Sequence, residues 1–179
     1  MKTTINTSLI LSCTKLLIKK QLSIAFAESA TAGRLASEFA LAPDAGKFLK
    51  GGIVCYDAKI KQDLLGVPEG LIKSFSPESE IVTCSITSGL QHVISADIHI
   101  GCTGLTSPGG SETFEKPVGT MFLYGVIGNR LLFSDKKVFH GSPEDIILQT
   151  VNHTALLLNQ YLMINEPDQI ATLNLFNNK

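Results

Sequence analysis

Three short stretches of this 179-residue chain hold the residue types that chemistry needs. The first, Glu28-Ser29-Ala30-Thr31-Ala32-Gly33, passes from an apolar run straight into a helical pattern. Ser29 then stands near a helix N-terminus, where unpaired amides and the helix dipole favour negative charge. That charge could be a phosphate or the oxyanion of a tetrahedral intermediate. The commoner role of Ser29 or Thr31 in such a place is to cap the helix. The second stretch, Tyr56-Asp57-Ala58-Lys59-Ile60-Lys61, sets a phenol and amines just after an apolar run. Ile60 and Leu64, four apart, are expected to bury, leaving Lys61 on the flank of a short helix and free to point into a cleft. A lysine activates a serine only when neutral, which requires desolvation or nearby positive charge. Lys59 reads as a solvated surface residue, and Tyr56 equally suits a strand end with a hydrogen-bonded hydroxyl. The third stretch, Thr103 to Ser111, holds Gly104, Gly109 and Gly110, with Lys116 beyond. Its many amides could cradle a phosphate; read alone, such a loop is only a turn.

Familiar signatures are missing. The glycine loop lacks P-loop spacing, and the chain has neither a G-x-G-x-x-G fingerprint nor a G-x-S-x-G elbow. His92, His99, His140 and His153 show no metal-ligand spacing, and no local pattern points to a Ser-His-Asp triad. Neither a metal nor a cofactor is expected. The four cysteines, Cys13, Cys55, Cys84 and Cys102, are far apart among apolar neighbours and read as free core thiols. That suits a reducing, cytoplasmic setting.

The elements that must position these residues follow from periodicity. Asn6 caps a helix to about Lys20 with Leu9, Ile10, Cys13, Leu16 and Leu17 on one stripe. Ser23 to Ala27 reads as a strand buried on both faces, followed by a helix from near Thr31 that buries Leu35 and Phe39 and stops before Pro43. Gly51-Gly52 introduces a strand over Ile53 to Tyr56, and a short helix ends at Gly66. Ser76-Pro77-Glu78 is read as the start of a helix that turns Ile81, Val82, Ile86, Leu90 and Val93 inward. Asp97 to Thr103 is a strand with Ile98, Ile100 and Cys102 on one face. Val118 to Ile127 and Leu131 to Phe139 form a hairpin about Gly128-Asn129. Ser142-Pro143-Glu144-Asp145 opens a last helix to about Met163 that buries Ile147, Val151, Ala155 and Leu158.

This order predicts a three-layer α/β/α fold around a mixed, mainly parallel sheet, with ligands at the carboxyl ends of the strands. Residues 1–164 are expected to form a single domain and 165–179 a polar tail carrying Leu173, Leu175 and Phe176. At 44% hydrophobic and 17% charged, the chain can bury a sizeable core. A net charge of −1 without a basic face argues against nucleic acid as a partner. The apolar N-terminal runs are too short and too interrupted for a membrane span or a signal peptide.

Taken together, the three stretches resemble the C-terminal domain of the competence-damage-inducible CinA family, the nicotinamide-nucleotide amidases. The matching pieces are Glu28 to Gly33 for E-S-x-T-x-G, Gly51-Gly52 with Tyr56 and Lys61, Leu64-Leu65-Gly66-Val67, and Gly109-Gly110-Ser111 followed by Glu115 to Thr120. The resemblance implies hydrolysis of the carboxamide of nicotinamide mononucleotide, with Ser29 as nucleophile, Lys61 as its base or activator and Tyr56 assisting. It implies that Glu28, Thr31, Gly33, Thr103, Gly104, Gly109, Gly110, Ser111 and Lys116 hold a small pyridine nucleotide. It also implies a mixed five-stranded sheet, no metal, and a homo-oligomer, a dimer first. Larger members carry a further N-terminal domain, and this chain is similar to the form without it.

The chain departs from the family pattern at several positions. Ala32 replaces a glycine, Ala58 an asparagine, and Thr106-Ser107 the Ala-Gly of the loop. Phe75 and Glu78 replace a histidine and a valine, and Pro143 an arginine suited to phosphate. Extra residues within Glu112-Thr113-Phe114 lengthen the glycine loop. An amidase requires Lys61 within hydrogen-bond reach of Ser29. A non-catalytic nucleotide- or partner-binding module on the same scaffold would leave Lys61 turned to solvent. An amidase for a non-phosphorylated amide would leave no cation beside the glycine loop, with Lys116 facing away.

Overall fold

The computed structural model describes residues 3–164; the tail expected over 165–179 lies outside them. Five strands form one sheet in the order β2-β1-β3-β4-β5. They are β1 (Ile24–Glu28), β2 (Leu49–Val54), β3 (Ile98–Gly104), β4 (Thr120–Ile127) and β5 (Arg130–Val138). β2, β1 and β3 run parallel, while β4 and β5 are antiparallel to their neighbours. The helices are α1 (Thr7–Lys19), α2 (Arg34–Ala40), α3 (Ala58–Leu65), α4 (Glu69–Phe75), α5 (Glu80–Val93) and α6 (Pro143–Ile164).

Helices cover both faces, as continuously apolar central strands require. On one face Ile10, Cys13 and Leu17 of α1, Leu35 and Phe39 of α2, and Val151, Ala155 and Leu158 of α6 close over Ile24, Phe26, Ile98, Ile100 and Cys102. On the other, Leu65 of α3 and Val82, Ile86 and Leu90 of α5 close over Ala25 and Ala27. Every residue of β1 is buried. No helix of the described residues is long and apolar enough to cross a membrane.

Several expectations fail in ways that matter for the site. α2 starts at Arg34, not near Thr31, because Ala32 and Gly33 adopt left-handed backbone at φ 49° and 95°. For an alanine, that conformation costs about 1 kcal/mol. β2 begins at Leu49, so the glycine pair lies inside the strand. An additional helix, α4, occupies residues read as connection; Pro68 precedes it and a Glu69–Lys73 pair at i,i+4 supports it. Ser76 ends α4 at φ 68°, and the cap of α5 is Ser79, whose Oγ accepts from Val82 N. Pro77 and Glu78 therefore lie in the turn between the helices. On α5, Ile81 and Val93 face outward, and Thr83 and Thr87 join Val82, Ile86 and Leu90 inside. On α6 the buried residues near the start are Ile146 and Leu148 rather than Ile147. Its Ser142 and Asp145 exchange bonds as a capping box, Ser142 N to Asp145 Oδ2 at 3.1 Å and Asp145 N to Ser142 Oγ at 3.2 Å.

The correction with most consequence is on α3. Asp57 caps this helix and Gly66 ends it in left-handed conformation, but its inward pair is Lys61 and Leu65; Ile60 and Leu64 are exposed. The inward face is fixed by α5, which meets α3 at Gly89. A Cβ there would sit 1.9 Å from the Leu65 carbonyl oxygen. Gly89→Ala is therefore expected to push α3 away and destabilise the protein by about 1–3 kcal/mol, as overpacking does. At this chain length that is a fall in Tm of roughly 3–10 °C. Calorimetric melting checks this, and an unchanged Tm would mean that α3 can move without cost.

Candidate active site

β1 and β3 end side by side, and their carboxyl ends open into a cleft of about 230 Å³. It is lined by Ser29 and Ala30 after β1, Tyr56 after β2, Glu78 from the α4–α5 turn, and the glycine loop from Gly104 to Gly110. The backbone of Ser29 is pinned, its N–H donating to the Cys102 carbonyl at 2.9 Å. Gly104 lets β3 press against β4, since a Cβ there would meet Met121 Sδ at 2.3 Å and the Thr120 carbonyl at 2.6 Å. The loop therefore leaves the sheet beside Ser29.

Lys61 is wholly buried. Its Nζ donates to Ser29 Oγ at 3.0 Å and to the Tyr56 carbonyl at 2.9 Å. Burial lowers its pKa below the ordinary lysine value, against the opposing pull of Cys55, Glu78 and Asp57. Among the described residues no carboxylate forms a salt bridge with Lys61, so burial and the serine hydroxyl favour its acting as a base. The neutral amine keeps an N–H for Tyr56 and turns its lone pair to the serine proton. The Tyr56 contribution to this contact is its carbonyl, and the residue, 64% exposed, lines the cleft.

Other expected site residues serve the frame. Glu28, 1% exposed, accepts at Oε2 from Thr31 Oγ1 (2.7 Å), Gly33 N (3.0 Å) and Leu35 N (2.9 Å), and at Oε1 from Ala36 N (2.9 Å). The N-terminus of α2, read from sequence as a seat for substrate charge, thus holds the protein's own carboxylate. Thr31 and Gly33 belong to that lock and lie away from the cleft. Thr103 is buried beneath the loop, its hydroxyl 2.7 Å from that of Thr83. Ser111 and Lys116 fasten the loop from behind. Lys116 Nζ donates to Ser76 Oγ (2.6 Å), the Glu78 carbonyl (2.9 Å) and Ser111 Oγ (2.6 Å), while Ser111 Oγ donates to Glu78 Oε2 at 2.5 Å. Gly109 and Gly110 do line the cleft.

Sequence reasoning missed two participants. The sequence pattern places Glu78 at a helix start; the signals for a site role are a carboxylate directly after Pro77 and its standing where the family pattern has a valine. Ala30 was invisible as a side chain because its contribution is its amide. That N–H follows Ser29 directly, borders the cleft and has no hydrogen-bond acceptor among the described residues, which is the arrangement an oxyanion donor needs.

Cys13, Cys55 and Cys102 offer no rival nucleophile, because burial raises the pKa of each thiol. Burial pushes the Cys55 thiol up to about 11 and Cys13 up to about 12, and all four are free, with Cys84 half-buried. His153 pairs with Asp135 at 2.5 Å and His99 with the Ile94 carbonyl at 2.8 Å, both remote from Ser29 in the fold. Among the described residues no group of His, Cys, Asp and Glu side chains gathers to hold a metal.

The profile of the CinA C-terminal domain matches residues 6–162. A CinA-like protein of Prochlorococcus marinus subsp. pastoris is 34% identical over 150 residues, which are 84% of this chain and 34% of that protein. A CinA-like protein of Petrotoga mobilis is 35% identical over 131 residues, 73% of this chain and 32% of its own length. The chain thus spans roughly a third of the relatives it matches. Among solved structures, a competence-damaged protein (CinA) superfamily protein from Escherichia coli superposes with a TM-score of 0.81 at 29% identity, covering 86% of this chain and 88% of that one. The competence damage-inducible protein A from Klebsiella pneumoniae, at 24% identity, shares the fold with a TM-score of 0.85 over 91% of this chain and 100% of its own. By the extent of the profile match and by these identities, the chain belongs to the CinA C-terminal domain family.

Proposed function

We propose that this protein is a serine amidohydrolase that converts the carboxamide of a nicotinamide nucleotide or nucleoside to the carboxylate and ammonia. The observation that carries this reading is the fully buried Lys61 amine, 3.0 Å from a serine hydroxyl at the floor of a cleft. An amide is a poor electrophile and needs both an activated nucleophile and a donor for its oxygen. Ser29 Oγ attacks the carboxamide carbon as Lys61 Nζ takes the hydroxyl proton, and the Ala30 amide receives the developing oxyanion. Lys61 then returns that proton to the departing nitrogen, which leaves as ammonia and gives a Ser29 ester. Water, losing a proton to Lys61, attacks the ester; Ser29 leaves as it recovers that proton from Lys61, and the acid product departs as carboxylate after giving its remaining proton to solvent. Tyr56 and the loop from Leu105 to Pro108 border the cleft where an aromatic ring would rest. The test is ammonia release from nicotinamide mononucleotide and nicotinamide riboside by purified protein, with Ser29→Ala as control. Release by the wild type that vanishes in the variant supports the reading. Release that persists in the variant removes Ser29 as nucleophile.

A further inference from the structure

We propose that Glu78 sets the charge of the substrate: the cleft accepts carboxamides whose remote end is uncharged or cationic and rejects those ending in phosphate. The proposal rests on the amidohydrolase reading for its chemistry but not for its charge preference, which binding alone can report. Among the described residues, the cleft lining contains one carboxylate, that of Glu78, and no lysine, arginine or histidine. Its Oε2 is fixed by Ser111 Oγ at 2.5 Å, so the acid is held in place rather than swinging free.

The α2 amides, Gly109 N and the nearby lysine amines are already engaged by the chain itself, and the Ala30 amide is the donor reserved for the carboxamide oxygen. Helix α2, whose N-terminus would offer amides and dipole, has those amides bound by Glu28. The glycine loop, which would offer an amide nest, has Gly109 N donating to Glu112 Oε1 at 2.8 Å. Lys116 is the cation nearest the loop in sequence. An ammonium has three N–H donors, and Lys116 directs its bonds to Ser76, the Glu78 carbonyl and Ser111. Lys61 is likewise committed to Ser29 and Tyr56. A phosphate entering this cleft would lose its water, find no cation in the lining among the described residues, and meet the Glu78 carboxylate, which Lys116 reaches only through Ser111. Repulsion of that kind is an effective way to discriminate between ligands. A pyridinium ring or a ribose hydroxyl meets the same carboxylate favourably.

Nicotinamide riboside and nicotinamide mononucleotide form a matched pair, sharing the carboxamide and cationic ring and differing by the phosphate. The wild type at low salt is expected to favour the riboside at least tenfold in kcat/KM. That ratio should contract as salt rises, since screening weakens charge effects and leaves a purely steric preference unchanged. Glu78→Gln keeps an oxygen to accept from Ser111 and should lower the ratio at least fivefold, mainly by improving use of the mononucleotide. A preference for the mononucleotide, or a ratio that neither salt nor Glu78→Gln moves, overturns the proposal. If neither compound yields ammonia, the amidohydrolase reading fails separately, and calorimetric binding of the same pair to the wild type decides the charge preference. Riboside bound at least tenfold tighter upholds it, while equal binding, or none, overturns it.

Discussion

Replacing Ser29 with alanine or Lys61 with methionine is expected to lower kcat/KM for carboxamide hydrolysis about a thousandfold to ten-thousandfold each, with the double replacement costing little more than either alone. The two side chains form one device: a hydroxyl without its base is a weak nucleophile, and a buried amine without the hydroxyl has nothing to activate. Additive losses would instead assign them separate roles. Lys61→Arg should be as damaging as Lys61→Met, because a guanidinium stays protonated and cannot accept the serine proton. The pH dependence has a definite sign. Hydrolysis requires neutral Lys61, so kcat/KM should rise with pH along a single-proton limb. Burial moves that limb below the ordinary lysine value, while Cys55, Glu78 and Asp57 hold it partly back. Glu78→Gln removes one of those negative neighbours and should shift the limb to lower pH. Stability follows the same linkage. The unfolded chain holds the Lys61 proton more tightly than the native one, so this residue's contribution to stability rises with pH between its native and unfolded pKa values. Lys61→Met removes the burial penalty and should leave Tm at or above that of the wild type, which separates lost chemistry from lost fold. A lower Tm with lost activity would make Lys61 a structural residue.

The parts of this site that could be read from sequence are those written in local chemistry. The serine after a buried strand, the glycine loop and the cap at Gly66 each announce themselves by residue type. What stayed hidden depends on which way a helix faces. Periodicity alone places Ile60 and Leu64 inside α3, since apolar residues four apart usually bury. The contact of Gly89 with the Leu65 carbonyl turns the helix so that Lys61 is buried instead, and no local signal in α3 reports a glycine on α5. That tertiary override is what leaves the lysine desolvated. Glu78 was hidden for a related reason: Ser76-Pro77-Glu78 has the composition of a helix start, but Ser79 provides the cap, and the displaced carboxylate borders the cleft. The same ambiguity affected Glu28. A carboxylate before Ser29 can serve a substrate or a helix, and only the positions of the Gly33, Leu35 and Ala36 amides decide.

That decision leads to the largest effect on stability expected in this protein. Glu28→Ala should leave the amides of Gly33, Leu35 and Ala36 and the Thr31 hydroxyl without their acceptor in a region too buried for water to replace it fully. Each stranded donor costs about 1–3 kcal/mol, and removal of the charge also forfeits a favourable interaction with the α2 dipole of about 0.3–1 kcal/mol. Partial relaxation of the turn recovers some of this, so a net loss of about 4 kcal/mol is expected from the loss of a buried, hydrogen-bonded carboxylate. The corresponding fall in Tm is about 8–16 °C at this chain length. Glu28→Gln should fall between, because one oxygen can still accept from Thr31, Gly33 and Leu35 while the new NH2 group faces the Ala36 N–H, donor against donor. Denaturant melts of the three proteins should therefore rank wild type above Gln above Ala with unchanged m-values. Activity should decline in the same order, because Ser29 sits next to Glu28 on the turn that this carboxylate holds shut. An alanine variant within about 1 kcal/mol of wild type, a difference typical of an ordinary single substitution, would show that the α2 N-terminus finds other partners. The carboxylate would then be free for the substrate role that the family resemblance implies.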